Sequence, residues 1–391
     1  MCIGAFGILS GCASFGSDRI IPERRDYTEA IRVSESEQLL KNIVRLRFST
    51  TPELLDMSQV VTQYQLQFTG GSGANITSGG PTTFPIAVSG QLQESPTITY
   101  SPVSGEEFAM RMLAPIKPWQ FYLLSNSGWD LSRLLSAVVQ ELNGLENLQI
   151  SFGLSAKKPP KSLAKFTQAI WLMEQLEING SLKMTMSAPR ADAHSMSAPT
   201  QTSTAGSKAS TGSKDSGPES FGGLEYHLVF VESNMNDADR KASAQLKTLL
   251  GLDPDQSYFR LLPSRSVDVE RETNGIVLSN RSMLSLLLYL AGGIKLPEPL
   301  STEYPGAYDK IPALTSGEEM VLPSRMFNVN VQWAEPEDPF VAIRFNGYWF
   351  WIDKRDQNTK TTFSLVEYLL RLQQAKGSNS DKGVLLTIPT R

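Results

Sequence analysis

The chain has 391 residues, of which 40% are hydrophobic and 19% charged, and this composition excludes a globally disordered protein. Its 36 Lys and Arg against 40 Asp and Glu give a net charge of −4, so we expect no nucleic-acid partner. The only cysteines are Cys2 and Cys12, and the only histidines are His194 and His227. These counts exclude cysteine clusters, multi-histidine metal sites and histidine-based triads. We therefore expect no catalytic residue, no metal and no cofactor.

The first residues have the pattern of a processing signal. Residues 1–11, MCIGAFGILSG, are uncharged and fall well short of the ~20 residues that a membrane-spanning helix needs, but they fit a signal peptide. The sequence Leu9-Ser10-Gly11-Cys12 resembles the lipobox of bacterial lipoproteins. That resemblance implies cleavage between Gly11 and Cys12, a lipid on the Cys12 thiol and palmitate or another acyl group on the new amino terminus. The alternative is an apolar N-terminus that contains a cysteine by chance.

Two further features of the N-terminus bear on location. Signals of this class begin with Lys or Arg, and residues 1–11 contain neither, so we expect the translation start to lie upstream. Residue 13 is Ala, whereas an Asp after the lipidated cysteine commonly retains a lipoprotein in the inner membrane. We therefore predict an outer-membrane lipoprotein that faces the periplasm or the cell surface, with residues 12–25 as its polar tether.

Residues 26–188 are predicted to form an N-terminal α+β region. Apolar residues at helical spacing predict a helix over 26–48, and Thr51-Pro52 ends it. Two alternating runs, at 57–69 and 86–92, predict a hairpin with a Gly/Ser/Thr-rich tip. Further elements are predicted as helices at 130–143 and 161–178 and a strand from Leu182 to Met186.

The tract at 189–222 is polar, small and rich in Pro and Gly, so it cannot bury enough apolar surface to become ordered. It is either a disordered linker between domains or a disordered insertion at the tip of a hairpin. Strand-like patterns at 182–186 and 224–231 favour an insertion, with one sheet crossing it.

Residues 223–391 are predicted to form a C-terminal α+β region. The patterns predict helices at 237–250, 282–291 and 363–374, strands at 258–262 and 384–388, and hairpins at 267–277 and over 326–333 with 340–352. The first hairpin is placed by its Asn-Gly turn signal. The whole chain is therefore predicted to be α+β, with mixed or antiparallel sheets, packed helices and one long disordered insertion.

The run FNGYWFWIDKRD, residues 345–356, is the candidate ligand site. Strand alternation puts Trp349 and Trp351 on one face, where they could stack on sugar rings while Asp353, Arg355 and Asp356 hydrogen-bond the hydroxyls. The alternative is a strand buried on both faces whose charged neighbours cap the turn and the next helix.

The hairpin at 62–93 has a second interpretation, in which several copies of a lipoprotein insert hairpins to form an outer-membrane pore. Each strand of such a pore needs ~9–11 alternating residues, and the first strand offers about eight. A homo-oligomer is therefore left open.

Four stretches resemble a family of bacterial envelope lipoproteins of uncharacterised function: SEQLLKNIVRLRF (36–48), SPTITYSPVSGEEFAMRML (95–113), RFNGYWFWIDKRDQNTKTTFSL (344–365) and VLLTIP (384–389). The resemblance covers most of the mature chain and implies a lipoprotein without implying an activity. We expect a non-enzymatic scaffolding or binding role with protein partners in an envelope assembly. The alternatives are a glycan- or peptidoglycan-binding module and an oligomeric outer-membrane pore component.

Overall fold

A computed structural model describes residues 17–72, 86–150, 160–187, 224–264, 275–305 and 323–374. The chain divides into two compact units. The hairpin unit is Glu53–Phe108, and the body combines Met1–Pro52 with Ala109–Arg391. The predicted cleavage site, the tract at 189–222 and the strand at 384–388 lie outside the described residues.

Helices and strands alternate irregularly along the chain. The helices are α1 Ser17–Arg47, α2 Gly105–Met112, α3 Pro118–Asn126, α4 Leu131–Val138, α5 Leu163–Ile178, α6 Asp237–Leu250, α7 Met283–Ala291, α8 Leu300–Glu303, α9 Pro323–Met326 and α10 Gln357–Gln374. The strands are β1 Leu55–Ser72, β2 Ile86–Pro102, β3 Val139–Leu142, β4 Leu145–Glu146, β5 Leu182–Ser187, β6 Glu225–Phe230, β7 Tyr258–Pro263, β8 Gly275–Asn280, β9 Asn330–Gln332, β10 Val341–Phe345 and β11 Tyr348–Ile352. This set confirms the predicted α+β class.

The body contains a six-stranded sheet in the order β4-β3-β8-β7-β6-β5. Only the pair β7 and β8 among these strands is parallel, so the sheet is mixed. β5 and β6 pair from Leu182↔Phe230 to Ser187↔Glu225. The two strands that flank the 189–222 tract are therefore direct neighbours. This pairing confirms that one sheet crosses the tract, as the insertion interpretation predicts.

Helix α3 packs on β5 and β6, whereas α5 contacts both edge strands of this sheet, β5 and β4. Helices α4 and α6 pack on α5. The apolar face predicted for α5 is buried, since Phe166, Ile170 and Met173 are each at most 1% exposed. A wholly apolar cavity of about 20 Å³ remains between Phe121 of α3, Met173 and Leu228 of β6. A space of this size holds no more than a water molecule, so it is a packing defect of the core.

The start of α6 is tied to the end of α5 through one carboxylate. Asp239 accepts hydrogen bonds from Asn179 Nδ2 at 2.7 Å and Ser181 Oγ at 2.9 Å, while its own N–H donates to Asn236 Oδ1 at 2.9 Å. The pKa of Asp239 lies below its ordinary value, mainly because the carboxylate accepts the hydrogen bond from Asn179 and to a smaller extent because it accepts the one from Ser181. The cap of α6 therefore also sets the position of the α5 terminus.

Arg281 is the most heavily bonded buried side chain that the structure describes. It is 1% exposed, and Nη1 donates to the carbonyls of Ala137 at 2.7 Å and Val139 at 3.1 Å. Nη2 donates to the carbonyl of Leu148, and the guanidinium lies 4.0 Å from the ring centre of Tyr289. Burial raises the pKa of the Tyr289 hydroxyl to about 12. One cation thus joins the α4–β3 junction, the segment after β4, and α7.

A three-stranded antiparallel sheet, in the order β10-β11-β9, packs β10 against α1. Phe48, just after α1, contacts the rings of Tyr304, Phe345 and Phe350 at 4.8 to 5.9 Å between centroids. The apolar residues predicted for the α1 core face are buried: Leu39, Leu40, Ile43, Val44 and Leu46. The second half of α1 is therefore the helix that covers this sheet.

Three predicted helix boundaries are wrong. α10 begins at Gln357, not Phe363. α1 begins at Ser17, not Asp26, so residues 17–25 of the segment interpreted as a polar tether are helical. The helix predicted over 130–143 ends at Val138, and β3 follows at once. β3 leaves the helical path because its backbone pairs with β8, which a local pattern does not show.

The two predicted C-terminal hairpins are also corrected. Within 340–352, β10 and β11 pair through a two-residue turn at Asn346 and Gly347, with φ of 48° and 85°. β9 pairs with β11 on its other side rather than forming a hairpin with this segment. Gly275, predicted to end a turn, is the first residue of β8 and pairs with Arg260, while 265–274 lie outside the described residues.

We expect Arg281→Met to lower the free energy of unfolding by about 3 kcal/mol or more, because it leaves several buried carbonyls without a donor. Arg240→Met is the matched control, since Arg240 is exposed on α6 and should change stability by no more than about 0.5 kcal/mol. Urea unfolding of both variants checks the difference. Equal stability of the two variants would contradict the role given to Arg281.

Candidate functional site

β11 confirms the predicted alternation of aromatic residues. Tyr348, Phe350 and Ile352 are at most 3% exposed and point into the core beside α1. Trp349 and Trp351 lie on the opposite face and are half-buried. β11 is therefore fully buried on one face only. On its other face, each tryptophan is partly exposed.

The tryptophans sit in two cross-strand rows of the three-stranded sheet. Trp349 is in register with Arg344 of β10 and Gln332 of β9, and Trp351 with Ala342 and Asn330. Residues in register share a face of an antiparallel sheet. We call Trp349, Trp351 and these four neighbours the tryptophan face.

The indole N–H of Trp351 is turned away from solvent. Its Nε1 is buried and makes no hydrogen bond within the part of the chain that the structure describes. The exposed part of Trp351 is therefore carbon surface. On the tryptophan face, Arg344 is exposed and Gln332 is half-buried, with its Nε2 donating to the carbonyl of Ala334 at 3.0 Å. Polar groups thus border an exposed aromatic surface.

The predicted charged residues build the connection from β11 to α10. Asp353 Oδ1 accepts from the Arg355 N–H at 2.8 Å, and the Asp353 carbonyl accepts from the Asp356 N–H at 3.1 Å. Asp356 Oδ1 accepts from the Thr359 N–H at 3.0 Å, and Oδ2 accepts from Thr359 Oγ1 at 2.6 Å. Asp353 and Asp356 therefore shape the turn and cap α10, and ligand binding by these residues and by the exposed Arg355 stays a prediction.

The hairpin unit contains β1 and β2, which pair antiparallel from Leu55↔Pro102 to Ser72↔Ile86. They have 18 and 17 residues, about twice the alternating length predicted from the sequence. One irregularity, between Met57 and Gln59, interrupts the register. Strands of globular proteins are usually about 5–6 residues long, so this hairpin is unusually extended.

A polar cluster on the six-stranded sheet was not predicted. His227 is 3% exposed and stacks on Tyr258 with centroids 4.1 Å apart. Its Nε2 lies 3.7 Å from Glu225, whose carboxylate pairs with Arg260 Nη2 at 3.2 Å. The sequence shows no direct signal for this cluster, because its members come from two strands separated by the 231–257 segment. The paired carboxylate is consistent with a role in joining β6 and β7.

Among the described residues, no group of three or more His, Cys, Asp or Glu is arranged to hold a metal ion. No described helix is long and apolar enough to cross a membrane. Comparisons of the chain with protein-family models, with curated proteins and with solved structures find no match. The candidate sites are the tryptophan face and the hairpin unit. Each is identified by its strand geometry and its residue pattern.

Asp356→Ala should destabilise the fold by about 1 kcal/mol, since α10 loses its N-terminal acceptor. Asp356→Asn keeps an acceptor at the same position and should change stability by only a few tenths of a kcal/mol. Thermal or urea unfolding of the two variants checks the cap. An equal loss in both would instead mean that the negative charge of Asp356, and not the cap, is what matters.

Proposed function

We propose that this chain is a lipid-anchored cell-envelope protein that works by binding within an envelope assembly rather than by catalysis. The observation that carries the proposal is Leu9-Ser10-Gly11-Cys12, whose apolar, small, small, Cys order is that of a lipobox. With ~0.8 kcal/mol gained per buried CH₂, several acyl chains on Cys12 would anchor the protein durably. Ala13 supports the outer membrane as its location.

The beginning of α1 supports a close link between anchor and body. Ser17, the first helical residue, follows Cys12 so soon that the chain between them spans at most roughly 18 Å when fully extended. Residues 25–35 of α1 are exposed or half-exposed, and Ser36 is the first buried residue among those described. Residues 25–35 are therefore a largely exposed part of α1 that precedes the core.

The anchor is tested with the two native cysteines, expressed from the chromosomal locus so that any upstream start is retained. Cys12→Ser should abolish incorporation of a labelled fatty acid, prevent cleavage and release the protein from the membrane fraction. Cys2→Ser is the matched control and should leave label, mass and fractionation unchanged, since Cys2 lies in the part predicted to be removed. Acylation and cleavage that survive Cys12→Ser would contradict the proposal.

A second candidate function is glycan or peptidoglycan binding, and the tryptophan face favours it. The exposed carbon surface of Trp349 and Trp351 suits the C–H faces of sugar rings, and Arg344 and Gln332 border it with hydrogen-bonding groups. Such binding would place the body against the cell wall, where an outer-membrane anchor would hold it.

Trp349→Ala should lose most of its retention on purified peptidoglycan, because it removes a ring from the tryptophan face. Trp171→Ala is the matched control, since Trp171 is 46% exposed on α5, away from the three-stranded sheet. A pull-down of the purified variants, with their unfolding curves recorded in parallel, measures the difference. Equal retention of both variants would exclude this second function.

A further inference from the structure

The hairpin unit leaves two long strand edges without partners in the described part of the chain. Its sheet has the order β1-β2, and no other described strand joins it. At ~3.4 Å per residue, the 17 paired residues of β2 extend about 58 Å. Along each outer edge, alternate residues present backbone N–H and C=O groups that are not used within the hairpin.

Such edges normally carry protection, and here most of it is missing. Proteins protect edge strands with charged residues, prolines or bulges, and an isolated two-stranded hairpin is at best marginally stable in water. From Met57 to Ser104 the sequence contains one charged residue, Glu94, and no Lys or Arg. β1 contains no proline, whereas β2 has Pro96 and, as its last residue, Pro102. The hairpin therefore has the properties of a strand pair that is completed by further strands.

The register gives the hairpin two different faces. Two neighbouring register positions on one face are occupied by glutamine in both strands, at Gln65↔Gln93 and Gln67↔Gln91. The intervening positions hold apolar pairs such as Leu66↔Leu92 and Val60↔Ile98. Because successive residues of a strand lie on opposite faces, a glutamine row crosses one face of the hairpin and an apolar row crosses the other.

We propose that the hairpin unit is an interaction surface for further copies of this chain, in which the outer edge of β1 in one copy pairs antiparallel with the outer edge of β2 in the next. The two strands run in opposite directions and have nearly the same length, so this pairing satisfies both edges of each copy. It also continues the glutamine row from copy to copy, and glutamine rows stabilise stacks of identical strands.

The charge of Glu94 favours pairing of β1 with β2 between copies over pairing of β2 with β2. β1 has no charged residue after Asp56, so the Glu94 of one copy meets an uncharged strand of the next. Pairing β2 with β2 would bring two Glu94 residues close together, and like charges on paired strands destabilise a sheet. Pro96 lacks an N–H, so we place the contact between Pro96 and the tip, along Gln63–Ser72 and Ile86–Ser95.

This inference depends on the hairpin and not on the lipobox, so its failure and the failure of the proposed anchor are distinguishable. It is also the association that the pore interpretation of the hairpin would require. Pairing of the strands does not by itself imply that the assembly forms an open pore.

Disulfide formation between two differently tagged copies of the full-length chain tests the pairing. One copy carries Gln63→Cys, Gln65→Cys or Gln67→Cys in β1, and the other carries Gln93→Cys in β2, both in a Cys2→Ser background. The cysteines are on separate copies because Gln65 and Gln93 are in register within one chain and would join each other there. The three β1 positions allow for the unknown register between copies.

The expected result is a mixed-tag dimer from at least one β1 position after mild oxidation of intact cells. The dimer should be lost with Tyr64→Cys, which lies on the opposite face of β1, and with Lys241→Cys, an exposed position on α6. Native mass measurement of the unsubstituted chain in detergent should show multimers. Any one of four results would overturn the proposal: a monomeric mass, equal cross-linked products from the α6 control, dimers of the Gln93→Cys copy alone, or cross-links only to other proteins.

Discussion

The body depends on a buried guanidinium that completes the end of a helix. The last carbonyls of an α-helix have no partner within the helix, and a cation beside them is favourable. Arg281 donates to the carbonyls of Ser136 and Ala137 at the end of α4 and to that of Val139 beyond it. Asn147 Nδ2 adds a bond to the Ser136 carbonyl at 3.0 Å. These bonds lie where α4 stops and β3 enters the sheet beside β8, so one side chain joins the helix end to the sheet.

The body and the hairpin unit are stabilised in different ways. In the body, buried residues from helices and strands surround Arg281 and the core of α5, and the backbone of the sheet is paired on both sides for its inner strands. In the hairpin unit, two long strands pair only with each other among the described residues. This difference is why the hairpin is the more informative unit for function.

Periodicity predicted the elements whose stability is local. The bounds of α6 agree with the sequence at both ends, and the alternation of Trp349 with Phe350 places the tryptophan face correctly. Features that depend on pairing were missed, as β3 was assigned to a helix and the His227–Tyr258 stack joins strands distant in sequence. The Asn-Gly signal at 274–275 predicted a hairpin, but Gly275 starts β8. A different Asn-Gly pair, at 346–347, forms the turn between β10 and β11. A turn signal identifies a local conformation and does not show which strands the turn joins.

The position at which α1 begins has a geometric consequence. From Ser17 to Ser36 a helix rises about 28 Å, at 1.5 Å per residue. A chain held at Cys12 would therefore stand off its bilayer by a rigid spacer, where a flexible tether would allow a wide range of heights. In copies anchored in this way, the spacer would hold each core at a common height above the lipid. Copies held at one height would lose less positional entropy on association than freely tethered copies. The spacer would therefore raise the effective concentration of one strand edge near another.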